Sequence, residues 1–185
     1  RVGRGGGASY CVLFAGWQGE LTRDARKRLE AVAATTDGFV LAEADLEVSP
    51  VGEDRWMTML AGEWKRTIPL LLHLDEHSLK LTSLFAGVPD ERYEEVYRIL
   101  LQRNQRPQPV HFALDDEGDL IIVGTVPLVA VDAERVDEVL GAVLTLADET
   151  FNQVLRTGFA SYLEAEQRWR AKNDMAPNPV GDPRH

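Results

Sequence analysis

The chain has 185 residues, 44% apolar and 27% charged, which suits one globular domain with room for tails. Thirty Asp and Glu against 20 Lys and Arg leave a formal net charge of −10. That balance opposes binding to a phosphate backbone, and no dense basic run offsets it, so no nucleic-acid partner is expected. The single cysteine, Cys11, excludes an intramolecular disulfide and any multi-cysteine zinc site, in keeping with a reducing, cytoplasmic setting. No apolar stretch approaches the ~20 residues that span a bilayer, so no membrane partner is expected either.

Residues 1–20 read as irregular. Two arginines and four glycines precede an apolar run from Ala8 to Trp17 that Gly16 breaks. No small-x-small cleavage site follows, so an artificial or misplaced start fits better than a signal peptide. Residues 21–170 read as a single domain. Thr22 caps a helix whose stripe is Ala25, Leu29, Val32 and Ala33. Val40, Leu41 and Ala44 would continue it, but Gly38 costs about 1 kcal/mol relative to Ala, and Asp37 could instead cap a second helix. Both readings stay open.

Three short apolar runs follow: Arg55–Leu60, Thr67–Leu74 and Ser78–Phe85. Ala61-Gly62-Glu63 and Asp75-Glu76 supply the turns between them. In the third run Leu79, Leu81 and Ser83 alternate with Lys80, Thr82 and Leu84, so one face is the more buried. Pro69 cannot donate to a ladder and belongs at an edge or a bulge. Asp90 is placed to cap a helix carrying Tyr93, Val96, Tyr97, Leu100 and Leu101 on one stripe. Its acidic residues come early and its basic ones late, as the macrodipole favours. Asn104 is placed as a left-handed C-cap, and Pro107 prevents continuation. Val110–Leu114 and Leu120–Gly124 form a hairpin over Asp115–Gly118. The unbroken apolar run Leu120–Val123 suggests a strand covered on both faces. Asp132 caps a long final helix with Val136, Leu140, Val143, Ala147, Phe151, Val154 and Leu155 on its stripe, bent or broken at Gly158 and continuing as helix from Phe159 to Trp169. Residues 171–185 are polar and rich in Pro, which reads as a disordered tail. The order is therefore α-β-β-β-α-β-β-α, an α+β fold with an antiparallel sheet and helices packed on it.

Catalytic patterns are weak. His73-Leu74-Asp75-Glu76-His77 matches H-x-x-E-H, a zinc-hydrolase pattern in which four-residue spacing on a helix aims both imidazoles at one metal. Here strand-like runs flank it, so a hairpin turn is the better reading and no metal is expected. Asp115-Asp116-Glu117-Gly118-Asp119 has the composition of a calcium loop, but Gly118 comes too early and Gly124 stands where the Glu belongs. It reads as a solvated turn. The four N-terminal glycines follow no strand and precede no G-K-[ST]. No G-x-S-x-G is present, and no acid–base pair stands out.

Several segments together resemble the YbjN family. They are Glu76-His77-Ser78-Leu79, Pro89-Asp90-Glu91, Val96 to Asn104, Phe112-Ala113-Leu114-Asp115, Gly118-Asp119, Val123-Gly124, Pro127-Leu128, Phe151-Asn152, Gly158-Phe159-Ala160-Ser161 and Trp169-Arg170. The resemblance covers roughly residues 40–170 and implies a fold like that of type III secretion chaperones. It also implies an acidic homodimer that binds a partner protein, with no cofactor and no catalytic residue. The expected function is a non-enzymatic chaperone-like or adaptor protein holding a partner polypeptide on its sheet and helix surface. A small-molecule sensor is the alternative, with a zinc hydrolase using His73, Glu76 and His77 behind it. The aromatic candidates for partner contact are Trp64, Phe85 and Trp169.

Overall fold

Side-chain alternation decides which face of each strand turns inward. In Arg55–Leu60, Thr58 and Leu60 are buried while Arg55, Met57 and Met59 are exposed. In Ser78–Ala86, Leu79, Leu81, Ser83 and Phe85 are buried while Lys80, Thr82 and Leu84 face out, as the sequence alternation required. The computed structural model describes residues 48–178. Its elements are β1 (Val48–Gly52), β2 (Arg55–Leu60), β3 (Ile68–Leu74), β4 (Ser78–Ala86), α1 (Tyr93–Arg103), β5 (Val110–Leu114), β6 (Leu120–Pro127), a single 3-10 turn (Leu128–Ala130), α2 (Ala133–Gly158) and α3 (Ala160–Lys172). The helix or helices expected over residues 22–45 lie outside the described residues.

All strand pairs are antiparallel, in the order β1-β2-β3-β4-β6-β5. Strands β1 to β4 form a meander. α1 then crosses to the far edge, and the β5–β6 hairpin returns to lay β6 against β4. β1 was not expected, because Val48-Ser49-Pro50-Val51-Gly52 is mostly exposed and carries no alternation. Pro69 lies in an interior strand, but at Met59↔Pro69 β3 is paired with β2 alone; its ladder to β4 begins at Leu71. A proline is tolerated where one side of the strand is unpaired. The reading of Leu120–Val123 as covered on both faces is corrected: Leu120 and Ile122 are buried, Ile121 and Val123 only half-buried.

α2 lies over β4, β5 and β6, and α1 packs against α2 and β5. Val139, Leu140, Val143, Ala147 and Val154 of α2 join Leu81, Phe85, Phe112 and Ile122 of the sheet in one core. Asp132 caps α2 as expected, its carboxylate accepting the Arg135 N–H at 2.8 Å. From the middle of α2, the Asp148 carboxylate accepts the N–H groups of Glu63, Trp64 and Lys65 at 3.1, 2.8 and 2.9 Å. One carboxylate therefore holds three successive N–H groups of the β2–β3 connection.

Two cap assignments from sequence are corrected. α1 starts later than Asp90: its N-cap is Arg92, in the left-handed region at φ 48°, with no side-chain cap bond. The Asp90 and Glu91 N–H groups go instead to the Gly158 carbonyl at the end of α2, at 2.9 and 3.2 Å. Gly158 must be glycine, because a Cβ there would sit 2.8 Å from Val96 Cγ2 and 3.0 Å from Pro89 Cβ. The chain breaks at Phe159 and restarts as α3, whose first turn is capped from outside: Glu91 Oε1 accepts the Ser161 N–H at 2.8 Å. Asn104 is not left-handed but right-handed, at φ −65°, and its side chain has a different task, taken up below. At the other end α3 runs to Lys172. Asn178 then folds back on it, exchanging two hydrogen bonds with the Gln167 amide.

Two outcomes test this arrangement. Phe85 is 1% exposed and packs edge-on against Phe112 and Phe151; Phe85→Ala is expected to lower stability by about 3–5 kcal/mol in urea unfolding. Hydrogen bonds from the Ser161 N–H and hydroxyl hold the Glu91 carboxyl below the usual glutamate range. A depressed folded-state pKa contributes stability that is present above the unfolded value and lost as pH falls through the folded one. The melting temperature should therefore fall as pH drops from about 5 toward 3, and Glu91→Gln should flatten part of that fall.

Candidate functional site

With the helices on one side, the opposite face of the sheet carries no helix among the described residues. The strand registers place its side chains in rows. One row runs Met57↔Leu71, Leu71↔Thr82, Thr82↔Val123 and Val123↔His111 across five strands. Toward the β5–β6 turn, Leu84 pairs with Ile121, while Met59 extends β2 in the same direction. Met57, Met59 and Leu84 are 38%, 53% and 48% exposed. Leu71, Ile121 and Val123 are half-buried, so the apolar surface is continuous through the middle of the sheet. At the opposite end a third row, Arg55↔His73 and His73↔Lys80, carries two fixed cations, Arg55 and Lys80.

Both edges of the sheet are managed. β1 carries Pro50 and a bulge between Pro50 and Gly52, two devices that blunt pairing with another chain. On β5 the Asn104 carboxamide donates to the Phe112 carbonyl at 3.0 Å and accepts the Phe112 N–H at 2.8 Å. It thus takes the place a neighbouring strand would take. Sequence reading missed this role. The only signal was an Asn followed eight residues later by an apolar strand position, and no local rule connects the two. These features disfavour the edges as docking sites and leave the open face.

The three aromatic candidates fall on separate elements. Phe85 is a correction: it belongs to the core beneath β4 and is not presented to a partner. Trp64 is half-buried in the β2–β3 connection, where Asp148 holds its backbone. Trp169 stands 56% exposed on α3. His73 is on β3, while Glu76 and His77 lie in the β3–β4 turn rather than on a helix. Asp75, between them, pairs with Lys80 at 2.6 Å and accepts the Glu76 N–H, and both interactions lower its pKa. Asp115 accepts the Glu117 and Asp119 N–H groups, which closes the β5–β6 turn with Gly118 at φ 88°. Among the described residues no group of three or more His, Cys, Asp or Glu is placed to hold a metal ion. No helix among them is long and apolar enough to cross a membrane. What the open face can do with these residues is bind by burial of apolar surface.

The fold is that of an α+β domain, an antiparallel sheet with helices on one side. The chain belongs to the YbjN family, whose model carries the description "Putative bacterial sensory transduction regulator" and matches residues 38–156; this is the family that the sequence motifs resembled. An uncharacterized protein of Mycobacterium tuberculosis strain H37Rv is 45% identical over 111 residues, 60% of this chain and 61% of its own length. One from Mycobacterium leprae is 39% identical over 129 residues, 70% of each. The chain thus spans 61% of the length of the first curated relatives it matches. Among solved structures it is similar to a chain of the ExoU–SpcU complex from the type III secretion system of Pseudomonas aeruginosa. That match has 20% identity and a TM-score of 0.42, covering 57% of this chain and 84% of that one. It is also similar to a chain of the Yersinia pestis type III secretion chaperone SycH in complex with a stable fragment of YscM2. Here the identity is 15% and the TM-score 0.42, covering 66% of this chain and 96% of that one.

The edge-guarding role of Asn104 is testable. Asn104→Ala leaves the Phe112 N–H and carbonyl without their partner and should cost about 1–3 kcal/mol. It also opens β5 to another chain, so light scattering should detect concentration-dependent association beyond that of the wild type.

Proposed function

We propose that the chain is a non-enzymatic polypeptide-binding module, an adaptor or chaperone-like protein of the YbjN type, that holds a partner segment on the open face of its sheet. The observation that carries this reading is the apolar field of Met57, Met59, Leu71, Leu84, Ile121 and Val123, left bare among the described residues. Contiguous exposed apolar surface on a soluble domain marks an interaction site, whereas scattered single residues do not. The sheet edges are blunted, so the partner is held by side-chain burial rather than by strand addition. The histidines and carboxylates that first suggested catalysis are dispersed over strand ends and turns, where Asp75 and Asp115 already serve local structure.

The test is affinity capture from a lysate of the source organism with the wild type, Met59→Glu and Leu84→Glu, read by mass spectrometry. Both positions are solvent-exposed, so the variants should melt close to the wild type. A polypeptide captured by the wild type and lost from both variants is the expected result. Equal capture by all three would remove the open face from the binding reaction.

A further inference from the structure

We propose that the occupant of the open face is an anionic polypeptide segment, apolar where it meets the middle of the sheet and carrying carboxylates where it meets the Arg55–His73–Lys80 row. This rests on the open face being a docking surface, and it adds the sign of the partner's charge.

The argument begins with where the acids are not. The chain carries 30 Asp and Glu. Yet the outward positions of β2, β3, β4, β5 and β6 contain none. They are Arg55, Met57 and Met59; Pro69, Leu71 and His73; Lys80, Thr82 and Leu84; His111 and Ala113; and Ile121, Val123 and Thr125. A protein of net charge −10 therefore places no acidic residue at the outward strand positions of this face, and places Arg55 and Lys80 there.

The two cations, Arg55 and Lys80, lie on either side of His73. Arg55, His73 and Lys80 are direct neighbours on three adjacent strands, through Arg55↔His73 and His73↔Lys80. Lys80 is compensated from the turn by Asp75, whereas Arg55 forms no ion pair among the described residues. A carboxylate brought by a partner supplies Arg55 with the opposite charge that the described residues do not give it. Dimensions agree with a short segment. The basic row and the Met59 end of the field are four residues apart along β2, about 13 Å. A helix of about nine residues spans that distance. A partner with acidic residues at one end of an apolar stripe would thus match the face lengthwise.

The experiment pans a phage-displayed library of random 16-residue peptides on the full chain. Recovered peptides are then titrated calorimetrically into the wild type, Leu84→Glu and Arg55→Glu, with thermal melts to verify that the variants fold. Expected are peptides that combine Leu, Ile or Phe with several Asp or Glu. Their affinity should fall about tenfold or more in Leu84→Glu and about three- to tenfold in Arg55→Glu, the latter loss shrinking at high salt. Neutral or basic peptides that still lose binding in Leu84→Glu would overturn the anionic assignment while keeping the docking face. Peptides indifferent to Leu84→Glu, or no enrichment at all, would overturn both. Flotation with phosphatidylserine vesicles in the absence of any peptide enrichment would mark a lipid surface and overturn the polypeptide assignment.

Discussion

The pairing of β4 with β6 is the interaction on which the rest of the molecule depends. It runs from Ser78↔Pro127 to Ala86↔Leu120 and joins a four-stranded meander to a hairpin that arrives only after α1 has crossed the domain. Without it there would be two small sheets, neither broad enough to bury the apolar stripe of a 26-residue helix. With it, Leu81, Phe85 and Ile122 lie on one surface under α2, and Thr82, Leu84, Ile121 and Val123 are brought to the other. Core and candidate site are the two faces of one register. A slip of one residue between β4 and β6 would send the core side chains of one strand to solvent, which is why that register is strongly specified.

Covering one face of a sheet and not the other is ordinary for an antiparallel arrangement, but the bare face is then usually polar. Here it is apolar in the middle and basic at one end. Meanwhile both edges are closed, one by a proline and a bulge and the other by a side-chain amide imitating a strand. Effort spent on blunting edges, combined with an apolar face left open, is consistent with a surface meant for side-chain recognition and protected from indiscriminate strand pairing.

The helical layer is held at its upper end by contacts between segments remote in sequence. The loop before α1 satisfies the last carbonyl of α2, Glu91 caps the first turn of α3, and Gly158 admits Val96 and Pro89 at close range. Asp148 does the corresponding work for the β2–β3 connection. Carboxylates in this acidic chain thus serve as backbone acceptors at several junctions. This ties the helical layer to the loops at the end of the sheet that carries Met59 and Leu84.

Local signals sufficed for most elements. Alternation in Ser78–Phe85, turn chemistry at Asp115–Gly118, the Asp132 cap and the break near Gly158 each act within a few residues, and sequence alone determined the α+β class, the position of five strands, and the helices from Tyr93 onward. The failures share a cause. Asp90 and Asn104 are good capping residues by type, but the fold uses each differently: the Asp90 N–H donates to the Gly158 carbonyl and the Asn104 amide pairs with the strand edge at Phe112, both unknowable until the chain folds. β1 has no apolar alternation because an edge strand needs little burial. Phe85 looked like a contact residue because an aromatic near a strand end reads the same whether it faces in or out. Which side of β2 and β6 became the open face was likewise undecidable locally, since Trp56, Met57, Ile121 and Ile122 are apolar on both sides. Only tertiary structure made that choice, by laying α2 over one face, because burial of a long amphipathic helix requires a whole sheet surface and no single strand contains that information.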